Sequence, residues 1–328
     1  MARSPATSST AATVARHGDN AVRPKVSLIV CTRNRSARLP QFFAHLAQLD
    51  FANDAWELVI VDHASSDRTP QAIEEFAATT PIALCHVRAL TDALTGAKNI
   101  GLTYARGEIL ALTDDDCYLR PDYLRALTGV FAEHDVGVVG GRVVLHDPTD
   151  ARLSIRDVDT PTEIAPHTFV RAGTIHGANM AIRRDVVRAV GGFDPLFGPG
   201  TRSLAAEDVE YVARAVWAGW RARYDPRPVV AHHHGRKPGD DTERYRRSYD
   251  YGRGAYYTKY ILVLRARRVY LRAWIELTRR APRSVRRSRL ARELAGGQRY
   301  LFERLMRPRA IPQLPATPAC SPTTAPSV

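Results

Sequence analysis

Short unbroken apolar runs alternate with stretches whose apolar positions recur every three to four residues. The run 26–31 (VSLIVC) is β-branched and continuous, which predicts a buried strand, and 39–49 follows with helical periodicity and Pro40 in its first turn. A second strand is predicted over 58–61, then a helix over 70–78 with Asp67 and Thr69 as caps, a third strand over 82–87, a helix over 97–105 and a fourth strand over 109–113. Continuous apolar strands separated by helices predict an α/β fold with a mostly parallel sheet covered on both faces. Such sheets bind ligands at the C-terminal ends of their strands.

The ends of the chain lack this pattern. Residues 1–24 are rich in Ser, Thr, Ala and Pro and predict a disordered leader, and 311–328 predict a disordered tail. Between them the expected division is one α/β domain over 25–235, in two parts, 25–116 and 117–235, then a helical extension over 236–310. The N-terminus carries no apolar stretch of about 7–15 residues, and no run of about 18 apolar residues occurs, so a cytoplasmic protein is expected. The four cysteines are scattered without a CxxC pair, which fits a reducing compartment.

Charge changes the picture only near the end. The net charge is +13, and residues 236–310 hold 22 Lys and Arg against 7 Asp and Glu. The basic character belongs to the extension, whose partner would be anionic lipid, nucleic acid or an acidic polymer, unless it is simply a solvated arginine-rich face. Within it, Tyr257, Ile261, Leu264, Leu271 and Ile275 recur at near-helical spacing. Arg265, Arg267, Arg272 and Arg279 fall mainly on other faces, and Arg268 interrupts the stripe. One amphipathic helix over 256–280 would either lie on an anionic membrane or pack its apolar stripe on the catalytic domain.

Candidate chemistry clusters where strands end. The first strand runs into Thr32-Arg33-Asn34-Arg35, the second into Asp62-His63-Ala64-Ser65-Ser66-Asp67, the fourth into Asp114-Asp115-Asp116. Adjacent carboxylates repel, which a divalent cation with oxygen ligands would relieve; alone, the triplet would equally serve as a solvated turn capping the next helix. Further on stand Ala97-Lys98-Asn99-Ile100-Gly101, Gly177-Ala178-Asn179, Gly191-Gly192-Phe193-Asp194, Ala206-Glu207-Asp208 and Tyr224-Asp225-Pro226 leading to His232. In this order over about residues 26–235, the motifs resemble those of family 2 glycosyltransferases with the GT-A fold, a Rossmann-like nucleotide-diphospho-sugar transferase architecture.

The resemblance implies roles. Asp62 would contact the nucleoside, with Thr32, Arg33 and Asn34 lining the base and ribose pocket. Asp114 and Asp116 match a D-x-D pair, Asp116 binding Mn or Mg directly and Asp114 the metal or ribose, with Asp115 beside them. Asp208 matches the catalytic base and Glu207 its neighbour; Lys98 and Asn179 fall at substrate-binding positions. His232 is a third metal ligand in some relatives, although His233 and His234 leave its register open. Ala64 replaces the usual Gly and His63 the usual Asn or Asp, so the second loop is expected to turn differently. One base, one metal and no enzyme nucleophile imply inverting transfer from a nucleotide-diphosphate sugar to a sugar, lipid-linked or natural-product acceptor. The Gly- and Pro-rich stretch 191–204 is expected to be a mobile loop closing over the donor. A nucleotidylyltransferase is disfavoured because the first strand lacks a following Gly-rich loop. Nucleic-acid binding is disfavoured because no recognition module is visible.

Overall fold

A computed structural model describes residues 13–17, 23–91, 93–306 and 310–313. The predicted alternation is present as β2 (Val26–Thr32), α1 (Leu39–Leu46), β3 (Trp56–Asp62), α2 (Thr69–Thr79), β4 (Ala83–Arg88), α3 (Leu94–Tyr104) and β5 (Ile109–Asp114). These strands pair in parallel in the order β4-β3-β2-β5. Their side chains are almost all buried, as two-sided coverage by helices requires. Register keeps the strand ends level: Thr32 lies opposite Asp62, and Cys31 opposite Asp114.

The second half of the sheet is mixed. β6 (Cys117–Leu119), α4 (Tyr123–Glu133), β7 (Val138–Leu145), β8 (Thr162–Ile164), β9 (Asn179–Arg183), α5 (Arg184–Val190), α6 (Glu207–Trp217) and β10 (Ala222–His232) follow in sequence. β9 runs antiparallel to both β5 and β7, while β10 lies parallel to β7 and takes β6 and β8 antiparallel. A register shift between Tyr224 and Val229 bends β10.

Part of the expected leader is ordered. Thr13–His17 form β1, antiparallel to β4 at the sheet edge, and Arg16 reaches the buried Glu57 at 3.4 Å and donates to the Tyr104 carbonyl. An unpaired edge ladder accepts any extended segment, whatever its composition, which is why the sequence pattern did not announce it. Residues 1–12, 18–22 and 314–328 lie outside the described residues, Cys320 among them; Pro312 of the expected tail accepts the Gly192 amide at 2.9 Å.

The basic extension is three helices, α7 (Asp240–Leu262), α8 (Arg267–Arg280) and α9 (Arg283–Met306). The single helix expected over 256–280 is broken at residues 263–266, and its stripe divides. Tyr257 is buried against Phe169 and Trp274, whereas Leu264 is 79% exposed. α7 and α9 cross so closely that a Cβ on Gly254 would stand 1.8 Å from the Glu293 carbonyl oxygen, and one on Gly296 2.0 Å from that of Tyr251. Ion pairs bind the helices to the α/β region: Lys259 contacts Asp194 and the fully buried Glu210 at 2.6 Å each, and Arg214 holds Glu210 at 3.1 Å. Among the described residues no helix is long and apolar enough to cross a membrane.

Candidate active site

The acidic cluster is assembled by register. β6 pairs antiparallel with β10 so that His232 faces Cys117, which brings His232 Nε2 within 3.4 Å of Asp116 Oδ1. The neighbouring histidines turn elsewhere: His233 packs with Tyr118 and His146, and His234 binds the Ala151 carbonyl and lies beside Asp150. Of the three histidines, His232 is the one whose ring stands with Asp114, Asp116 and Cys117. Its Nδ1 is buried without a hydrogen-bond partner.

The three aspartates separate. Asp114 and Asp116 face the same space, their carboxylates within 4.8 Å of His232 and of the Cys117 thiol. Asp115 instead accepts from the Thr32 hydroxyl at 2.6 Å and faces Arg35 at 3.4 Å. Burial raises the Asp114 carboxyl, with repulsion from Asp116 adding to it; burial likewise pushes Asp115 to about 6. Burial acts against Asp116 too, but hydrogen bonding and charge from His232, together with Arg35 and Arg236, hold it below the usual carboxylate range. Two carboxylates and an orphaned imidazole nitrogen suit a hard divalent cation, whereas burial raises the Cys117 thiol far from its thiolate form. Arg35 and Cys117 entered no prior role assignment; the first stands within the quoted Thr32–Arg35 motif, the second directly after the aspartates.

Beside this cluster lies a second group. Lys98, 5% exposed in its side chain, donates to Glu207 at 3.0 Å. Burial alone would lower its pKa, yet Glu207, Asp114 and Asp208 drive it above the ordinary lysine range, so one ammonium links the D-x-D carboxylates to the start of α6. Asp208 Oδ2 accepts the Gly177 amide at 3.1 Å and its Oδ1 the Val209 amide at 2.7 Å. Burial, then repulsion from Glu207, pushes the Asp208 carboxyl up to about 6. The preceding turn is strained, with Leu204 at φ 67° and Ala206 at φ 74°, as ground near reactive groups often is.

Other expected residues have internal duties. Asp62 is fully buried; Oδ1 accepts the Ser65 amide at 2.9 Å, while Oδ2 has no hydrogen-bond donor although Arg88 Nε is 3.2 Å away. Asn34, at φ 53°, ties the first loop to the second by accepting from the Ser66 amide, and Arg33 is exposed. Ala64 stands at φ 52°, so the second loop turns in the left-handed conformation that glycine favours, despite the substitution. Asn179, expected at a substrate-binding position, has a buried side chain that accepts from Tyr123 and donates to the Arg142 and Pro228 carbonyls, so it braces β9, β7 and β10. The stretch 191–204, expected to be mobile, is anchored by buried Phe193 and Phe197, by Asn99 bonding both the amide and carbonyl of Phe193, and by the Asp194–Lys259 pair.

The glycosyl transferase family 2 model matches residues 27–191. The chain is 26% identical over 223 residues to the pre-mycofactocin glycosyltransferase of Mycobacterium tuberculosis, covering 64% of this chain and 43% of that protein. It is 22% identical over 253 residues to the glycosyltransferase AglE of Haloferax volcanii, covering 77% and 80%. The chain thus spans less than half the length of the first of these relatives. Among solved structures it resembles the mannosyltransferase PcManGT of Pyrobaculum calidifontis, in complex with GDP-Man and Mn2+, with a TM-score of 0.57 at 21% identity over 87% of this chain and 88% of that one. It also resembles residues 1–349 of TarS from S. aureus in complex with UDP-GlcNAc, with a TM-score of 0.53 at 16% identity over 87% and 92%. Matched over half its length by the family's pattern and carrying the GT-A fold, this chain belongs to glycosyl transferase family 2.

Proposed function

We propose that the protein transfers a sugar from a nucleotide-diphosphate donor to an acceptor hydroxyl in one inverting displacement. The observation that carries the reading is the juxtaposition, through Lys98, of the Asp114–Asp116–His232 donor set with the half-buried carboxylate of Asp208. Asp208 takes the acceptor proton: its pKa near 6 leaves it ionised at neutral pH yet basic enough to accept a proton in the transition state. The Gly177 and Val209 amides fix its orientation, and Glu207 with Lys98 sets its local charge. Asp116, Asp114 and His232 would hold Mn or Mg, which when bound supplies positive charge opposite the departing diphosphate. The resemblance also gives Asp62 a contact with the nucleoside, for which its buried Oδ2, without a hydrogen-bond donor beside the Arg88 guanidinium, is the acceptor at hand. The donor class is supported by the GDP-Man and UDP-GlcNAc named with the structural neighbours.

The acceptor would be a sugar, a lipid-linked glycan or a natural product in polysaccharide, glycolipid or cell-envelope synthesis. The exposed Leu264, Leu271 and Ile275 beside the arginines of α8 support contact with the inner face of an anionic membrane. Proton NMR of the transfer product tests the chemistry: the new glycosidic bond should have the anomeric configuration opposite to the donor's, and retention would rule out a single displacement.

A further inference from the structure

Two cavities meet at Arg171 and Ala172. One, of about 610 Å³, is lined by Arg156, Glu163, Phe169 and Arg171; the other, of about 400 Å³, by Arg171, Arg253, Tyr257, Arg280 and Arg289. Most charges along this groove are already matched. Glu163 pairs with Arg223, Arg253 and Arg289 share the buried Glu293 at 2.7 and 2.9 Å, and Arg280 pairs with Glu276. Arg156 and Arg171 are not: among the described residues no carboxylate lies within 4.0 Å of either guanidinium.

The groove also holds donors without acceptors. Arg156 stacks over the Tyr224 ring at 4.2 Å and bonds Thr162 through one terminal nitrogen, yet its Nε is buried and unpartnered. Tyr257 is 1% exposed, and its hydroxyl is buried without a partner. Burial lowers the Arg156 pKa, and the neighbouring charge of Arg171 lowers it further, so both features favour an incoming anion. A buried donor left unmatched is uncommon in folded proteins and marks a place where a ligand can complete the bond.

The groove's position gives it a purpose. Its wall runs through Thr174, three residues before Gly177, whose amide holds Asp208. Between them His176 feels the charges of both Arg156 and His232. We infer that this groove binds a phosphate group carried by the acceptor, with Arg156, Arg171 and Tyr257 as its donors. Naming the ligand an acceptor rests on the glycosyl-transfer reading; the binding of phosphate does not. A tetrahedral phosphate accepts donors arriving from several directions, as guanidinium groups and a phenol on separate elements would supply them.

Full-length protein in EDTA would be titrated with glycerol 1-phosphate by calorimetry, and in parallel sedimented with phosphatidylcholine vesicles containing phosphatidic acid. At least one probe should bind, with Arg171→Ala and Tyr257→Phe each weakening it by about 10-fold, as loss of a hydrogen bond to a charged acceptor does. Arg171 is exposed and unpaired and Tyr257→Phe keeps the packing, so both variants should unfold at the parent temperature. Saturation of the soluble probe alone identifies a soluble phosphate ester, and charge-selective sedimentation alone identifies a lipid phosphate. If neither probe binds, or both variants bind as the parent does, the inference fails. If the parent protein shows no transfer from any nucleotide sugar with manganese while its Arg171-dependent phosphate binding is intact, the glycosyl-transfer reading fails and the groove stands.

Discussion

As the proposed base, Asp208 would answer two opposing needs, since a base must be ionised at neutral pH and still bind a proton well. Burial and Glu207 raise its pKa to about 6, while Lys98 and two backbone amides keep the ionised form from being lost altogether. Replacing it separates chemistry from binding. Asp208→Asn should lower turnover by about 1,000-fold, within the range of general-base contributions, and leave the donor Kd unchanged, whereas Asp116→Asn should lower turnover by about 100-fold and weaken the metal-dependent part of donor binding. The parent pH profile follows the sign of the shift: a base with a raised pKa is protonated as pH falls, so kcat should drop below about pH 6 and Asp208→Asn should abolish that limb. An unaltered limb in the variant would assign it to another group. Ala64 shows the opposite kind of residue effect. Its left-handed backbone costs a non-glycine residue about 1 kcal/mol, and the loop keeps that turn because the Asn34–Ser66 and Asp62–Ser65 bonds hold both sides of it.

At the scale of elements, the first four predicted strands appear with bounds shifted by only a few residues, because continuous apolar runs such as 26–31 are short, β-branched and need cover on both faces, which a central parallel strand provides. The extension was harder to read. Tyr257, Ile261, Leu264, Leu271 and Ile275 share a periodicity that describes what faces away from water and not what covers it. In the structure the covering for Tyr257 is Phe169 and Trp274, while Leu264 is 79% exposed and Leu271 and Ile275 44% each. The glycines of α7 and α9 carry a clearer message only once the helices are seen to cross. Gly296→Ala would place a methyl 2.0 Å from a backbone oxygen that cannot rotate away, so chemical denaturation should show a loss of about 3 kcal/mol. A loss under about 0.5 kcal/mol would mean that the crossing is looser than the structure shows.

For the whole molecule, the extension and the catalytic helix share one charge network. Burial alone would raise the Glu210 carboxyl, but Arg214 and Lys259 outweigh it and hold the pKa at about 2. A depressed carboxyl stabilises the fold above its unfolded pKa, and this contribution fades as pH falls from the ordinary glutamate range through about 2. Lys259→Met removes one partner from two buried carboxylates, for which a destabilisation of about 3 kcal/mol is expected. Calorimetry should then show a lower Tm while unfolding remains a single transition, because α7 packs on α6 and its loosening reaches the catalytic half. Two separated transitions in the parent would mean that the extension folds independently.

The family pattern, the parallel half of the sheet and the D-x-D pair follow from the sequence alone, since each depends on residue type and local spacing. Contacts between distant segments follow other rules. The placing of His232, and not His233 or His234, beside Asp116 comes from the pairing of β10 with β6. The assignment of Asn179 to the scaffold depends on Tyr123, Arg142 and Pro228, brought together from three other parts of the chain. The groove of Arg156, Arg171 and Tyr257 likewise exists only where residues 156–174 meet the helices of the extension. Local propensity determines which elements form, but the partners of a buried polar atom are decided by packing across the sheet, where sequence separation carries no information about distance.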